Sequence, residues 1–220
     1  MTRIMLVLVL LLLNGGTAAA APDSPWWMDT VLSHSQTVPN DIDRLSAEPA
    51  MSLTWLGRWD EQVLAGIQQR RRTDAHGFWS AITLLGDPRL HVGYALAAAL
   101  RDSQGSPELL WSIGLTGMVT GVGKIAFGQA RPHLNQGPVF RGPTWNTDYA
   151  AMPSAHTAVS FAAAAYWTQR HPDLAPLFYG TAGLIGFSRL VLEEHWPSNV
   201  LVGAVLGLLV SRSWLQRHQY

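Results

Sequence analysis

Cysteine is absent from this 220-residue chain, and its 15 Lys and Arg residues are balanced by 15 Asp and Glu residues. The absence of cysteine excludes a disulfide framework, a thiol nucleophile and zinc bound by cysteine. The zero formal net charge excludes nucleic-acid binding through a broad basic surface, so any anion site has to be local. The length suits a single domain with a substantial core.

The N-terminus has the layout of a secretory signal peptide. Arg3 precedes an unbroken apolar run over residues 4–13, and small residues follow up to Pro22. A basic start, a short apolar run and a small-residue site predict export, with cleavage after Ala20. Retention as an anchor stays open, although the run is shorter than the roughly 20 residues that span hydrocarbon. We therefore expect a signal peptide at 1–20 and a protein of the bacterial cell envelope.

The rest of the chain divides into a mixed N-terminal region and an apolar region. Residues 21–77 predict loops and short amphipathic helices. The apolar stretches that follow are longer than typical strands, and the segments between them carry proline, glycine and charged residues, which stop helices. This pattern predicts an all-α fold, a bundle of about five core helices over residues 78–215. The stretches cover residues 78–100, 109–127, 155–168, 174–192 and 198–214.

The apolar stretches leave open whether the bundle lies in a membrane or is soluble in the periplasm. Gly203 and Gly207, four residues apart, suit close helix contacts in lipid and also in a dense soluble bundle. Alternating the stretches across a membrane places the loops 128–153 and 193–197 on one face and several arginines on the other. That arrangement satisfies the positive-inside tendency. We favour membrane embedding, with these two loops facing the periplasm.

Three clusters of polar residues interrupt the apolar stretches, and the first joins Lys124 to Arg131-Pro132. Seven residues are nearly two helical turns, so a continuous helix would project both cations from one face about 10 Å apart. Pro132 disfavours helical geometry at Arg131 and ends the segment there. Taken alone, the pair is typical of a snorkelling lysine and a terminal arginine.

The second cluster opens an apolar helix and contains Ser154, Ala155 and His156. The unpaired N–H groups of a first helical turn form an anion site, which the helix dipole strengthens. Ser154 adds a hydroxyl donor, and His156 beside a bound anion could serve as a general acid. Taken alone, a serine at a helix start with a nearby histidine is more often ordinary capping.

The third cluster runs from Arg189 to Asn199 and contains His195. The planar donor fork of arginine suits phosphate oxygens, and an unprotonated imidazole is a competent nucleophile towards phosphorus. We expect Asn199 to accept a hydrogen bond from one ring nitrogen of His195, which would fix the tautomer. Glu193 and Glu194 precede His195 and could tune it, although we interpret them as a solvated pair at a helix end.

In order and spacing, these clusters resemble the three motifs of the PAP2 superfamily of acid and lipid phosphatases, to which vanadium haloperoxidases are related. The resemblance covers residues 124–199 and extends with the flanking helices to about 78–214. Two positions depart from the family pattern, because Ala155 stands where glycine is usual and Asn199 where the family has aspartate. The motifs are Lys124 with Arg131-Pro132, Pro153-Ser154-Ala155-His156, and Ser188-Arg189 with His195 and Asn199.

The resemblance implies a phosphatase that uses a phosphohistidine intermediate and needs neither a metal nor another cofactor. His195 would attack phosphorus, His156 would protonate the leaving oxygen, and Asn199 would orient His195. The substrate would be a phosphorylated small molecule or a lipid (pyro)phosphate, and no nucleic-acid partner is expected. The phosphate-binding residues would be Lys124, Arg131, Ser154, Ala155 and Arg189.

Two alternatives stay open, one from the departures from the family pattern and one from the related haloperoxidases. Asn199 cannot offset positive charge on His195 as aspartate can, so we expect a slower enzyme, whereas Ala155 costs nothing if its backbone is helical. One alternative is a non-catalytic or weakly active PAP2-like membrane protein. The other is a vanadium-dependent haloperoxidase, which would use the same cationic pocket.

Overall fold

The computed structural model describes residues 54–71, 75–101 and 106–217, and within these ranges the chain is a helical bundle. The predicted all-α fold is confirmed. The predicted signal peptide and residues 21–53 of the predicted N-terminal region lie outside the described residues, and the boundary at residue 77 stays a prediction. The helices are α1 (Thr54–Arg70), α2 (His76–Leu85), α3 (Pro88–Arg101), α4 (Ser106–Phe127), α5 (Ala155–Arg170), α6 (Ala175–Val191) and α7 (Pro197–Arg217).

Helix α5 is the central element and packs against α3, α4, α6 and α7. Its contact with α7 is especially close, because a Cβ added at Gly203 or Gly207 would overlap the backbone oxygen of Ser154 or Ala158. Small side chains on both helices therefore allow their backbones to approach. The alanines of α5 in the protein interior are Ala158, Ala162, Ala163, Ala164 and Ala165.

The first apolar stretch, predicted as one segment over 78–100, is two helices, α2 and α3. Helix α2 ends just before Gly86, where an added Cβ would overlap the side chain of Ile185 on α6. The carboxylate of Asp87 then accepts a hydrogen bond from the Arg89 N–H at 2.8 Å, which caps the start of α3. The prediction of a single segment is wrong because a tight packing contact and a capping residue end α2.

The chain reverses between successive helices, which brings four helix ends together. At one end of the bundle α4 and α6 finish, α5 and α7 begin, and the Ser154 N–H donates to the Asn199 carbonyl at 3.1 Å. We call this end the site end. At the opposite end Arg170 of α5 pairs with Glu108 of α4 at 3.0 Å. The loops 128–154 and 192–196 therefore lie side by side at the site end.

Helix α1 packs against α6 and α7 and reaches the site end. Leu64 is buried in a cluster with Leu190 and Trp196. Asp60, which is 1% exposed, accepts hydrogen bonds from the backbone N–H of Ser198 at 2.7 Å and from its hydroxyl at 2.6 Å. Helix α1 thus holds the first turn of α7.

Much of the outer surface of the bundle is apolar. Within the described residues, three helices are long and apolar enough to cross a membrane, and only 39%, 39% and 33% of their apolar windows are buried inside the protein. Val122, Leu177 and Leu209 are each more than half exposed, at 62%, 61% and 61%. An apolar surface of this size requires an apolar partner or medium. The three segments are Pro107–Phe127, Pro172–Val191 and Pro197–Arg217.

Candidate active site

Lys124 and Arg131 both reach the site end, but not along one helix. Helix α4 ends at Phe127, and Gly128 has a left-handed φ of 53°. A side chain at Gly128 would overlap the backbone oxygen of Gly142, so glycine is required at this turn. The predicted helical register between the two cations is therefore wrong, because Arg131 arrives from the loop after α4.

The segment Ala150–Ala151 supplies two backbone carbonyl oxygens to the site. The Ala150 carbonyl accepts a hydrogen bond from Nζ of Lys124, and Nδ1 of His195 lies 2.7 Å from the Ala151 oxygen. The Ala151 N–H donates to the backbone oxygen of Gln129 at 3.1 Å, which holds the segment in place. A carbonyl oxygen only accepts, so Nδ1 of His195 carries the proton and Nε2 of the neutral ring carries the lone pair.

The electrostatic surroundings of His195 also favour its neutral form. His195 is 2% exposed. Burial holds the pKa of His195 well below 6.5, and the positive charges of Lys124, Arg131 and Arg189 lower that pKa further. The buried imidazole is therefore unprotonated near neutral pH, as a nucleophile has to be.

The guanidinium groups of Arg131 and Arg189 share one carboxylate oxygen of Glu194. The oxygen lies 2.5 Å from Arg131 Nη1 and 3.4 Å from Arg189 Nη2. Arg189, which is 7% exposed, also donates through Nη1 to the Thr83 hydroxyl at 2.6 Å. The interpretation of Glu194 as merely solvated is wrong, since the loop 192–196 carries it into the cationic cluster.

Ser154 and Ala155 start α5 at the site end. Ser154 is the N-cap residue, with extended backbone angles, and its hydroxyl is fully buried and accepts a hydrogen bond from the Thr157 hydroxyl at 3.0 Å. Ala155 is the first helical residue. Alanine in place of glycine therefore introduces no left-handed strain at this position.

His156 lies in the first turn of α5, among the same cations as His195. The charged groups that act on the His156 ring include those of Arg189, Lys124 and Arg131. The charge on His156 in turn acts on His195. The structure thus brings both predicted imidazoles and all three predicted cations to the site end.

The expected hydrogen bond between Asn199 and His195 is wrong. The Asn199 side chain is fully buried, its Oδ1 accepts from the Trp196 N–H at 2.9 Å, and its Nδ2 donates to Gln129 Oε1 at 2.5 Å. Asn199 is the third residue of α7, and its side chain turns back to satisfy the N–H that precedes the helix. The Ala151 carbonyl contacts the His195 ring instead.

The structure adds contacts that the sequence motifs do not identify. Thr83 of α2 and Gln129 of the loop after α4 contact predicted site residues from distant parts of the chain. No local pattern marks either residue. Glu194 carries one usable signal, its position next to His195.

Two solved structures are similar to this chain in fold. The crystal structure of Aquifex aeolicus LpxE aligns with a TM-score of 0.60 at 20% identity, covering 70% of this chain and 93% of that chain. The crystal structure of a transmembrane PAP2 type phosphatidylglycerolphosphate phosphatase from Bacillus subtilis aligns with a TM-score of 0.52 at 21% identity. That alignment covers 79% of this chain and 90% of that chain. At these identities the likeness establishes the fold.

Sequence comparison gives the family. A Lipid A 1-phosphatase of Porphyromonas gingivalis is 33% identical over 102 residues, which cover 44% of this chain and 20% of the relative. The match thus spans a fifth of the length of that relative. The sequence model of the PAP2 superfamily matches residues 108–220, which include all three motifs and just over half of the chain. With a PAP2-like bundle and the three motifs gathered at one end of it, this chain belongs to the PAP2 superfamily.

Proposed function

We propose that this protein is a membrane-embedded phosphatase that hydrolyses a phosphate ester or pyrophosphate of a lipid through a phosphohistidine on His195. The observation that carries the proposal is the hydrogen bond from Nδ1 of His195 to the Ala151 carbonyl. That bond leaves Nε2 as the nucleophilic nitrogen of a buried neutral ring. Three cations act electrostatically on the ring, and such a pocket favours a phosphate group.

Three cationic side chains supply the charge stabilisation in this proposal. Lys124, Arg131 and Arg189 all act electrostatically on His195, so a phosphate attacked by His195 would lie among them. Ser154 and the backbone N–H of Ala155 add donors at the start of α5, where the helix dipole favours an anion. These groups would stabilise the charge that develops on the phosphoryl oxygens, a role that magnesium has in many phosphoryl-transfer enzymes.

The reaction would proceed in two steps. In the first, the bound phosphate anion favours a proton on the neighbouring His156. Nε2 of His195 then forms a bond to phosphorus as the bond from phosphorus to the leaving oxygen breaks, and His156 gives its proton to that oxygen. In the second, water attacks phosphorus, neutral His156 takes the proton of the water, and the bond from phosphorus to His195 breaks. Inorganic phosphate leaves, and both histidines regain their starting states.

The outer surface of the bundle supports a lipid substrate. In three apolar helices of the described residues, fewer than half of the window residues are buried inside the protein, which suits a hydrocarbon environment. The site end lies at the ends of these helices, where the phosphate of a membrane lipid would be found. Two similar proteins carry the names Lipid A 1-phosphatase and phosphatidylglycerolphosphate phosphatase. Together with the predicted signal peptide, the helix arrangement favours a site that faces the periplasm.

The test is phosphate release by the detergent-purified protein in the presence of EDTA, with a panel of lipid and soluble phosphates. His195→Ala should lower turnover more than about a thousandfold, as removal of a nucleophile does. His171→Ala is the matched control, because this exposed histidine follows α5 at the end opposite the site end. Turnover that requires added magnesium, or that survives His195→Ala, would contradict the mechanism. A folded protein without turnover would favour the non-catalytic alternative.

A further inference from the structure

Glu194 contacts two of the three cations that the proposed function assigns to phosphate binding. One oxygen of its carboxylate lies between Arg131 and Arg189, at 2.5 and 3.4 Å. Its negative charge also acts on Lys124. The carboxylate therefore bridges two of the guanidinium groups to which the proposed function assigns the phosphate oxygens.

A carboxylate and a phosphate compete for the same donors. Each offers a pair of oxygens to the two N–H groups of a guanidinium fork, and each accepts charge-assisted hydrogen bonds. An N–H of Arg131 or Arg189 that points at Glu194 is not directed at a substrate oxygen. Bringing a phosphate dianion beside the carboxylate would also place like charges together, which is unfavourable.

The loop that carries Glu194 fixes its backbone and leaves its side chain room to move. The Glu194 N–H donates to the Arg189 carbonyl at 3.0 Å, and the preceding residue, Glu193, takes a left-handed φ of 56°. The Glu194 side chain is 37% exposed, whereas that of Arg189 is 9% exposed. The carboxylate can therefore turn outwards into solvent while the guanidinium stays buried.

We propose that Glu194 occupies the position of a phosphate oxygen in the unliganded protein and that the phosphate group of the substrate displaces it. This inference rests on the proposed function, because it concerns the same site. The carboxylate bridges Arg131 and Arg189 and partly neutralises their charge until a phosphate arrives. It also raises the phosphate concentration required for binding, so only an anion with enough charge to replace the carboxylate binds well.

The experiment compares binding of inorganic phosphate, measured by isothermal titration calorimetry, for the wild type, Glu194→Gln and Glu193→Gln. Glu193 is the matched control, because its carboxylate points to Arg71 at 3.9 Å and not to the cationic cluster. Loss of the competing charge should tighten phosphate binding by Glu194→Gln about tenfold, and the KM for a phosphate ester should fall in parallel. Glu193→Gln should bind phosphate as the wild type does.

Other results would overturn the inference. Unchanged or weaker phosphate binding by Glu194→Gln would mean that Glu194 is a permanent brace for the guanidinium groups. Glu194→Ala removes the carboxylate altogether and should change binding in the same direction, so it replaces the first variant if that one does not fold. If the wild type turns over substrate but neither Glu194→Gln nor Glu194→Ala binds phosphate more tightly, this inference alone would be overturned. Phosphate binding without turnover would overturn the proposed function, and a wild type that binds no phosphate would overturn both.

Discussion

Nδ1 of His195 lies 2.7 Å from the carbonyl oxygen of Ala151. The partner that sets the tautomer of the proposed nucleophile is therefore a backbone group, which no side-chain substitution removes. Its position depends on the loop 128–154, in which the Ala151 N–H near the end donates to the Gln129 carbonyl near the start. Orientation of the ring is thus a property of the folded loop and not of a single side chain.

Restoring the family aspartate, by Asn199→Asp, should not raise turnover. Asn199 bonds to Trp196 and Gln129 rather than to His195, and the substitution replaces its donor to Gln129 with a second acceptor. An unpaired polar group in this buried position should lower the free energy of unfolding by about 1–3 kcal/mol unless the Gln129 amide rotates. Thermal unfolding and kcat check this. A clear rise in kcat would mean that residue 199 does orient the ring.

Lowering the pH should destabilise the wild-type protein through His195. Burial and nearby cations hold the pKa of His195 below 6.5 in the folded protein, whereas in the unfolded chain the pKa is near its ordinary value. As pH falls below 6.5, the unfolded chain binds a proton that the folded protein does not, so stability is lost until the folded ring also protonates. The loss can reach about 1.4 kcal/mol per pH unit.

The variant His195→Asn isolates this effect. Asparagine keeps a donor for the Ala151 carbonyl but does not titrate. Between about pH 7 and 5 the melting temperature of the wild type should therefore fall more than that of the variant. Equal losses would show that the pKa of His195 is not lowered by folding.

Asp60 should matter for both stability and turnover, although it lies outside the matched residues 108–220. Asp60→Ala leaves two buried groups of Ser198 without their acceptor, which should cost about 1–3 kcal/mol for each group. The loop with His195 directly precedes this turn of α7, so kcat should also fall. Asp60→Asn should retain most of the stability and most of kcat, because its amide can accept from the Ser198 N–H and donate to the Ser198 hydroxyl.

The matched control for Asp60 is its exposed neighbour Glu61. Glu61→Ala should change the melting temperature and kcat little, since surface substitutions away from such contacts are usually near neutral. If Asp60→Ala were equally mild, α1 would not hold the start of α7 as described.

The contact between α5 and α7 should tolerate no side chain at Gly207. A Cβ there would overlap the Ala158 carbonyl, so Gly207→Ala should destabilise the bundle by about 1–3 kcal/mol. Gly121→Ala is the control, because a Cβ at that position of α4 meets nothing within 4 Å and alanine favours the helix. Thermal unfolding of the two variants should move in opposite directions. A neutral Gly207→Ala would mean that the helices are less closely packed.

Local signals in the sequence predict the helices well. Helix α5 is expected over 155–168 and observed over Ala155–Arg170, because an apolar run begins after Pro153 and ends at charged residues. The residues Gly86-Asp87-Pro88 are a local signal for the end of one helix and the start of the next. The prediction gave more weight to the apolar character of 78–100 and therefore joined α2 and α3. Apolar pattern defines where a helix can form, and a capping residue or a packing contact defines where it stops.

Contacts between distant residues explain most of what the sequence does not predict at the site. The three motifs predict which residues gather, since each is a local pattern at a helix end. They do not predict that the chain turns at Gly128, so that Arg131 lies in the loop after α4. They also do not predict that Glu194 contacts the guanidinium group of Arg131, 63 residues away. Such contacts depend on the paths of the loops 128–154 and 192–196, and these paths follow from tertiary packing.

Attack of Nε2 of His195 on phosphorus would leave a covalent intermediate, and trapping it provides the decisive measurement. Purified protein is mixed with a lipid phosphate, quenched under alkaline denaturing conditions in which phosphohistidine survives, and mapped by peptide mass spectrometry. We expect a phosphoryl group on His195 that is absent from His195→Asn. A phosphoryl group on His156 or on another residue, or turnover with no phosphorylated His195 peptide, would contradict it.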